Sequence, residues 1–370
     1  MHTITFYPIG NADTCLIALE GGKRLLFDYA HMRNCDDESD LRIDLEQALR
    51  DQLAKDGRDD YDVVGFSHLD RDHINRASEF FHLEHDKKYQ GTKRAKINEL
   101  WVPAAMIVED PSELSDEAKI IQKEARYRLR NGQRIRVFSR PEALKGWLEG
   151  EGLSLDHRRA LITDAGQLVP GFEKGKDLLE FFVHSPFAER ADGELIDRNR
   201  CSLVFQVTFL AGDRETRFML TADSPHEELS EIVRITKAHK NEGRLAWDIF
   251  DLPHHCSYLS LAPEKGKDKT EPVPDVRWLF EQGAKGAKIV SPSDPIPSED
   301  TDQPPHRQAA KYYEDLCQDI GGEFLVTMQH PKRSAPEPLV ITIGSSGATT
   351  KKSITASGIT VISRPAPRAG

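Results

Sequence analysis

The sequence predicts an α/β protein in which strands and helices alternate in packed layers. Short apolar runs with strand character recur along the chain, and helical periodicity appears between them in segments such as Leu41 to Leu53. The most polar, ligand-rich cluster, Ser67 to His73, also follows directly on an apolar run, where layered α/β folds collect their ligands.

In chain order, Ile4–Ile9 and Cys15–Leu19 read as two strands joined by the turn-rich Gly10-Asn11-Ala12-Asp13. After Gly21-Gly22, Arg24–Phe27 is a third strand ending at Asp28. Leu41, Leu45, Ala48, Leu49 and Leu53 then mark a helix, and Asp62–Phe66 a short strand. From Ile74 to Glu180 the pattern becomes charged and largely helical, with short strands at Leu100–Val102 and Ile135–Phe138, so residues 76–178 are expected to form an insertion. Strands return at Leu179–Val183, Ser202–Phe209, Arg217–Thr221, Ile249–Leu252 and Ile289–Val290. Helices are expected near Pro225–Ala238 and Ala309–Cys317. Residues 1–330 are read as one domain and 331–370 as a β-rich tail or hairpin, with strands at Leu339–Ile343 and Ile359–Ser363.

Composition narrows the function classes. The 370 residues are 38% hydrophobic and 30% charged, as in a globular protein, and contain no apolar run of membrane-spanning length. No basic leader followed by an apolar stretch opens the sequence, so a cytoplasmic location is expected. Five cysteines without C-x-x-C spacing argue against a disulfide framework and a cysteine zinc knuckle. A formal charge of −11 disfavours a protein that coats nucleic acid with its whole surface. Local basic runs, Lys87–Lys96 and Lys123–Arg140, leave room for a phosphate-tracking face or for ordinary solvated surface.

His68-Leu69-Asp70-Arg71-Asp72-His73 places four candidate ligands within six residues. Two histidines and two aspartates at this spacing after a strand are hard to explain as packing, because buried carboxylates without partners cost several kcal/mol each. The cluster is therefore read as metal-binding.

Six motifs in order resemble the metallo-β-lactamase fold superfamily, and most closely its branch with the hydrolase domain of the competence protein ComEC. They are Ile9-Gly10-Asn11-Ala12-Asp13, Ser67 to His73, Asn199-Arg200-Cys201-Ser202-Leu203-Val204, Thr221-Ala222-Asp223, Pro253-His254-His255-Cys256-Ser257, and His306 in Gln303-Pro304-Pro305-His306. The resemblance implies a four-layer αββα metallo-β-lactamase sandwich and two divalent metal ions, zinc or manganese. His68 and Asp70 would hold the first ion, Asp72, His73 and His306 the second, and Asp223 would bridge them. His184 is a third candidate for the first ion or a surface histidine. Asp72, His254 and His255 are candidate catalytic residues, with one of the two histidines contacting the scissile group or protonating the leaving oxygen and the other structural. Asp28 would hydrogen-bond the metal loop. Arg71, Arg76 and Asn199 are candidate substrate contacts.

An aspartate at position 70, where many relatives carry histidine, adds a hard oxygen donor and shifts preference toward manganese or a mixed site. The sequence departs from the pattern at Ala222 and Cys256, which stand where the branch has glycine, and at Asn75-Arg76, where it has Gly-Gly. No ligand is lost, but the rim is altered.

The leading expectation is a phosphodiesterase or nuclease using a hydroxide activated by two metals, with a nucleic acid or nucleotide as substrate. An ester, lactone or amide hydrolase is the alternative, and a metal-stabilised interaction subunit, binding a protein through the insertion or tail, is a third. Such a subunit would have little reason to retain a full ligand set. Basic residues facing the metals would favour phosphate chemistry, and an apolar pocket ester chemistry.

Overall fold

A computed structural model describes residues 1–191 and 196–351. The first sheet has nine strands. Its strands β1 (His2–Phe6), β2 (Cys15–Ala18), β3 (Arg24–Phe27), β4 (Asp60–Gly65), β5 (Lys96–Pro103), β6 (Ile135–Phe138) and β7 (Ile162–Thr163) lie side by side in sequence order. The second sheet contains β8 (Leu179–Ser185), β9 (Val204–Ala211), β10 (Arg214–Leu220), β11 (Trp247–Asp251), β12 (Gly283–Ser291) and β13 (Glu323–Val326), also in sequence order. A two-residue ribbon, β14 (Pro331–Lys332) with β15 (Ala335–Pro336), precedes the hairpin β16 (Leu339–Gly344) and β17 (Gly347–Thr350), which returns to the first sheet beside β1.

Alternation along the strands builds the layers. Ile4, Phe6, Ile17, Leu25, Phe27, Trp101 and Phe138 face Phe181, Phe205, Phe218, Ile249 and Val290 across the gap between the sheets. Residues of opposite parity point outward. Leu16, Leu26, Val64, Leu100 and Val137 pack under the helices Leu45–Asp56, Asp116–Asn131 and Glu142–Gly150. On the other side Val204, Met219, Phe250 and Ile289 pack under the helices His226–Ala238, Pro274–Phe280 and Arg307–Ile320. The architecture is the four-layer αββα sandwich expected from the motifs.

The stretch expected as an insertion, 76–178, is built into this frame. Its β5, β6 and β7 extend the first sheet in parallel from β4, and β5 and β6 carry buried apolar residues on both faces. The C-terminal hairpin forms, but its second strand is Gly347–Thr350, inside the stretch expected as linker. The expected strand Ile359–Ser363 lies outside the described residues. The helix expected from Leu41 begins at Leu45, where the Asp44 side chain accepts from the Gln47 N–H, and Leu41 is exposed.

The long helix Asp116–Asn131 is anchored by a buried ion pair. Arg128 Nε donates to Glu124 Oε1 at 2.7 Å, and both side chains are 1% exposed. His85 Nδ1 lies 2.9 Å from Glu124 Oε2. Burial works against the carboxylate, yet His85 and Arg128 lower its pKa to about 2, from 4.5. A depressed carboxylate stabilises the fold above its unfolded pKa and loses that contribution as pH falls toward the folded value. Glu124→Gln is expected to cost about 3 kcal/mol at neutral pH, since it leaves the buried Arg128 with only the more distant Glu84, 3.8 Å away, as counter-charge. It should also flatten the loss of stability between pH 4.5 and about 2, as read by denaturant midpoints across that range.

Candidate metal centre

The ends of β3, β4, β10 and β11 meet at one edge of the sandwich and carry the polar residues of the motifs. Asp28, just past β3, organises the loop after β4. Its Oδ1 accepts from the Ser67 N–H at 2.7 Å, and its Oδ2 accepts from the Ser67 hydroxyl at 2.6 Å and from His73 Nδ1 at 2.8 Å. This fixes the His73 tautomer, leaving Nε2 to face inward. Gly65, at the end of β4, allows the close approach, since a Cβ there would lie 2.7 Å from the Phe27 ring.

Four side chains converge: Asp13, His73, Asp223 and His255 are all buried, and one donor atom from each lies within 4.8 Å of the others. His73 Nε2 is 3.3 Å from Asp223 Oδ1 and 3.6 Å from Asp13 Oδ2. The Pro292 carbonyl accepts from His255 Nδ1 at 2.9 Å, which aims Nε2 at Asp72 Oδ2, 3.1 Å away, and Asp223 Oδ1, 3.8 Å away. His68 stands beside this group. Its Nε2 is 3.6 Å from Asp70 Oδ2, and its ring centroid is 3.9 Å from that of His73. His254, a quarter exposed, approaches Asp223 Oδ2 to 4.0 Å from the open side.

The donor set fits divalent cations. Asp13 Oδ2, His68 Nε2, His73 Nε2 and Asp223 Oδ1 are buried without a hydrogen-bond partner, which a native site tolerates only where another group satisfies them. Electrostatics agree. Burial pushes Asp13 up to about 7 despite His255 and His73. Burial opposes charge on His255 as well, but Asp223, Asp13 and Asp72 raise it to about 10. Asp251, buried beneath the group, is raised well above the usual carboxylate range by burial and then by Asp13. So many carboxylates in one dry place call for positive charge.

Two expected ligands sit elsewhere. His184 Nε2 lies 2.9 Å from the Arg244 carbonyl, which only a protonated nitrogen satisfies, and burial lowers its pKa to about 4. His306 caps the helix Arg307–Ile320. Its Nδ1 accepts from the Tyr258 N–H at 3.3 Å, its Nε2 faces the Asp302 carbonyl at 3.4 Å, and its ring packs on Tyr258. Asp13 takes a place in the convergent group that no role was predicted for, although it stands in the first motif. Its N–H donates to the Asp72 carbonyl at 3.0 Å, tying the first turn to the metal loop.

Among the expected substrate contacts, Asn199 lines a cleft of about 580 Å³ together with Asp70, Glu109, Asp110, Glu113 and Arg198. Arg71 is exposed, and its Nε reaches Asn75 Oδ1 at 3.5 Å. Arg76 Nε and Nη2 both donate to Glu79 Oε2, at 2.9 and 2.7 Å. The basic run 123–140 is largely consumed within the protein. Arg126 donates to the Ile107 carbonyl at 2.7 Å, Arg130 pairs with Glu151 at 2.6 Å, Arg134 with Glu84 at 2.8 Å, and Arg140 with Asp164 at 2.9 Å.

The rim backbone explains the departures from the glycine pattern. Ala222 (φ 45°), Cys256 (φ 65°) and Arg76 (φ 61°) all occupy the left-handed region, and so do His254 and His255, at φ 52° and 53°. The positions demand left-handed backbone whatever residue they carry, at about 1–2 kcal/mol each for a residue with a Cβ. Ala222→Gly is therefore expected to raise stability by about 1 kcal/mol, measured as a shifted denaturant midpoint with unchanged slope.

No family model matches the sequence, and no curated protein matches it. Solved structures with distant similarity include the metallo-β-lactamase GOB-18 from Elizabethkingia meningoseptica, at 12% identity and a TM-score of 0.32, covering 75% of this chain and 87% of that one. A diphosphatase from the PhnP family matches at 11% identity and a TM-score of 0.30, covering 78% and 86%. The class B3 di-zinc metallo-β-lactamase LRA-12 from an Alaskan soil metagenome matches at 12% and 0.32, covering 75% and 89%.

Proposed function

We propose that the chain is a metal-dependent hydrolase of the metallo-β-lactamase fold whose substrate is a small phosphodiester. The supporting observation is the convergence of buried, unbonded donor atoms from Asp13, His68, His73 and Asp223 in a carboxylate-rich pocket. Asp13, His73, Asp223 and His255 would hold one divalent ion, and His68 with Asp70 the other, with Asp223 between them. When bound, such a pair supplies a water acidic enough to attack near neutral pH and positive charge against phosphoryl oxygens.

The chain's own groups do the rest. Asp28 and the Pro292 carbonyl each fix a histidine tautomer, so no proton has to be relocated between ring nitrogens when the site fills. Asp72 Oδ2 lies 3.1 Å from His255 Nε2, the nitrogen that would turn to the ion, so this carboxylate would stand beside the same ion as a further ligand. His254, a quarter exposed beside Asp223, would give a proton to the leaving oxygen. A small substrate is favoured over a polynucleotide because Arg126, Arg130 and Arg134, the residues expected to track phosphates, are engaged in internal bonds.

The test is metal-dependent turnover of bis(p-nitrophenyl) phosphate beside p-nitrophenyl acetate, with Asp223→Ala as control. Phosphodiester turnover that requires both metal and Asp223 is the expected result. Turnover of the ester alone would move the assignment to ester chemistry, and turnover of neither, to an interaction subunit.

A further inference from the structure

Arg198 occupies a place that none of the motifs assigns. Its Nη1 donates to Asp70 Oδ1 at 2.6 Å, while its Nε and Nη2 form a fork onto Glu109 Oε1 at 2.8 and 2.6 Å, and Nη2 also reaches the Glu113 carbonyl at 3.0 Å. Glu109 is itself buried, with its side chain 8% exposed. Arg198 is thus held by the Glu109 carboxylate and uses its remaining arm on one oxygen of Asp70. The other oxygen, Oδ2, is the one turned toward the unbonded His68 Nε2, 3.6 Å away.

We propose that Arg198 is a positioning residue that makes Asp70 a one-oxygen ligand and sets the geometry and affinity of the ion shared by His68 and Asp70. This rests on the metal-hydrolase reading above. The physical reason is the planar fork. Guanidinium can serve two carboxylates in fixed directions at once, which an ammonium group cannot. Without it, Asp70, about a third exposed on the cleft wall, could rotate and offer both oxygens or neither. The three charges also offset one another. The formal charges of Glu109, Arg198 and Asp70 sum to one negative charge on the wall facing His68.

The test uses the full chain titrated with Zn²⁺ and, separately, Co²⁺, following stoichiometry by competition with a chromophoric chelator and coordination by the cobalt visible spectrum. Arg198→Ala is expected to weaken the lower-affinity equivalent about 10- to 100-fold while leaving the tighter one unchanged, and to alter the spectrum of the weakened site. Arg198→Lys should restore little of that affinity, and added guanidinium should restore part of it in the alanine variant. Glu109→Gln, which loosens the anchor but keeps Arg198, should give a smaller effect of the same kind. Two wild-type equivalents with an unaltered spectrum in Arg198→Ala would overturn the proposal, as would a loss of thermal stability with no change in either affinity. Should Arg198→Ala not fold, Arg198→Lys and Glu109→Gln are judged by the same affinities and spectrum, and wild-type values in both overturn it. A wild-type protein that binds no metal would instead overturn the metal-hydrolase reading.

Discussion

Asp223→Asn is expected to lower the proposed metal-dependent phosphodiester turnover by roughly a thousandfold, because a carboxylate that would serve both ions would supply charge stabilisation worth several kcal/mol. The asparagine keeps the size of the side chain, so the buried packing beside His73 and His255 persists and the loss is chemical. Geometry puts the effect at this residue more than at its neighbours. Asp223 Oδ1 lies within 4 Å of both His73 and His255, and Oδ2 reaches toward His254. The surroundings of its carboxylate also favour the charged form. Burial opposes its charge, but His73 and His255 hold its pKa well below the usual range. Steady-state kinetics at saturating metal check the prediction. A loss under tenfold would remove Asp223 from the bridging position.

The second large effect is on stability. Asp13, Asp223 and Asp251 are buried together, and any cation that binds the folded form but not the unfolded chain stabilises it by mass action. At a free ion concentration a thousand times the dissociation constant, the gain is about 4 kcal/mol. Zinc or manganese is therefore expected to move the chemical denaturation midpoint strongly upward, and a chelator to reverse the shift. Asp13→Ala should remove most of the metal-dependent gain, because it deletes one of the four convergent donors. Equal midpoints with and without metal would contradict the assigned donor set.

The strands and the site were legible in the sequence to different degrees. Strands such as Arg24–Phe27 and Ile135–Phe138 matched residue for residue, since each is a compact apolar run bounded by charge. The segment 76–178 misled because its helical surface is dense with charge. That charge is spent on internal pairs such as Glu124 with Arg128, which local pattern does not distinguish from a solvated face. At the site, the contiguous His68 to His73 motif was readable from spacing alone. His306 and His184 were not, because a backbone carbonyl or N–H partner, invisible in sequence, occupies each ring. Asp13 and Arg198 were overlooked for a related reason: their importance comes from groups brought in from 60 to 210 residues away, His73 and Asp223 in one case and Asp70 and Glu109 in the other.

The return of the C-terminal hairpin to β1 has a consequence for biosynthesis. The pairing joins Thr3 to Thr342 and Phe6 to Leu339, so one edge of β1 has no neighbour until the ribosome has made and released almost the whole described chain. At about 5–20 residues per second that interval is on the order of tens of seconds. For that time the nascent protein presents an open strand edge to any other chain that can add to it, and the motif residues at the far end of the same sheet are already made but lack the partners from the second sheet that complete their grouping. Yield in a cell should therefore depend on protection of the nascent chain more than the stability of the finished sandwich would suggest.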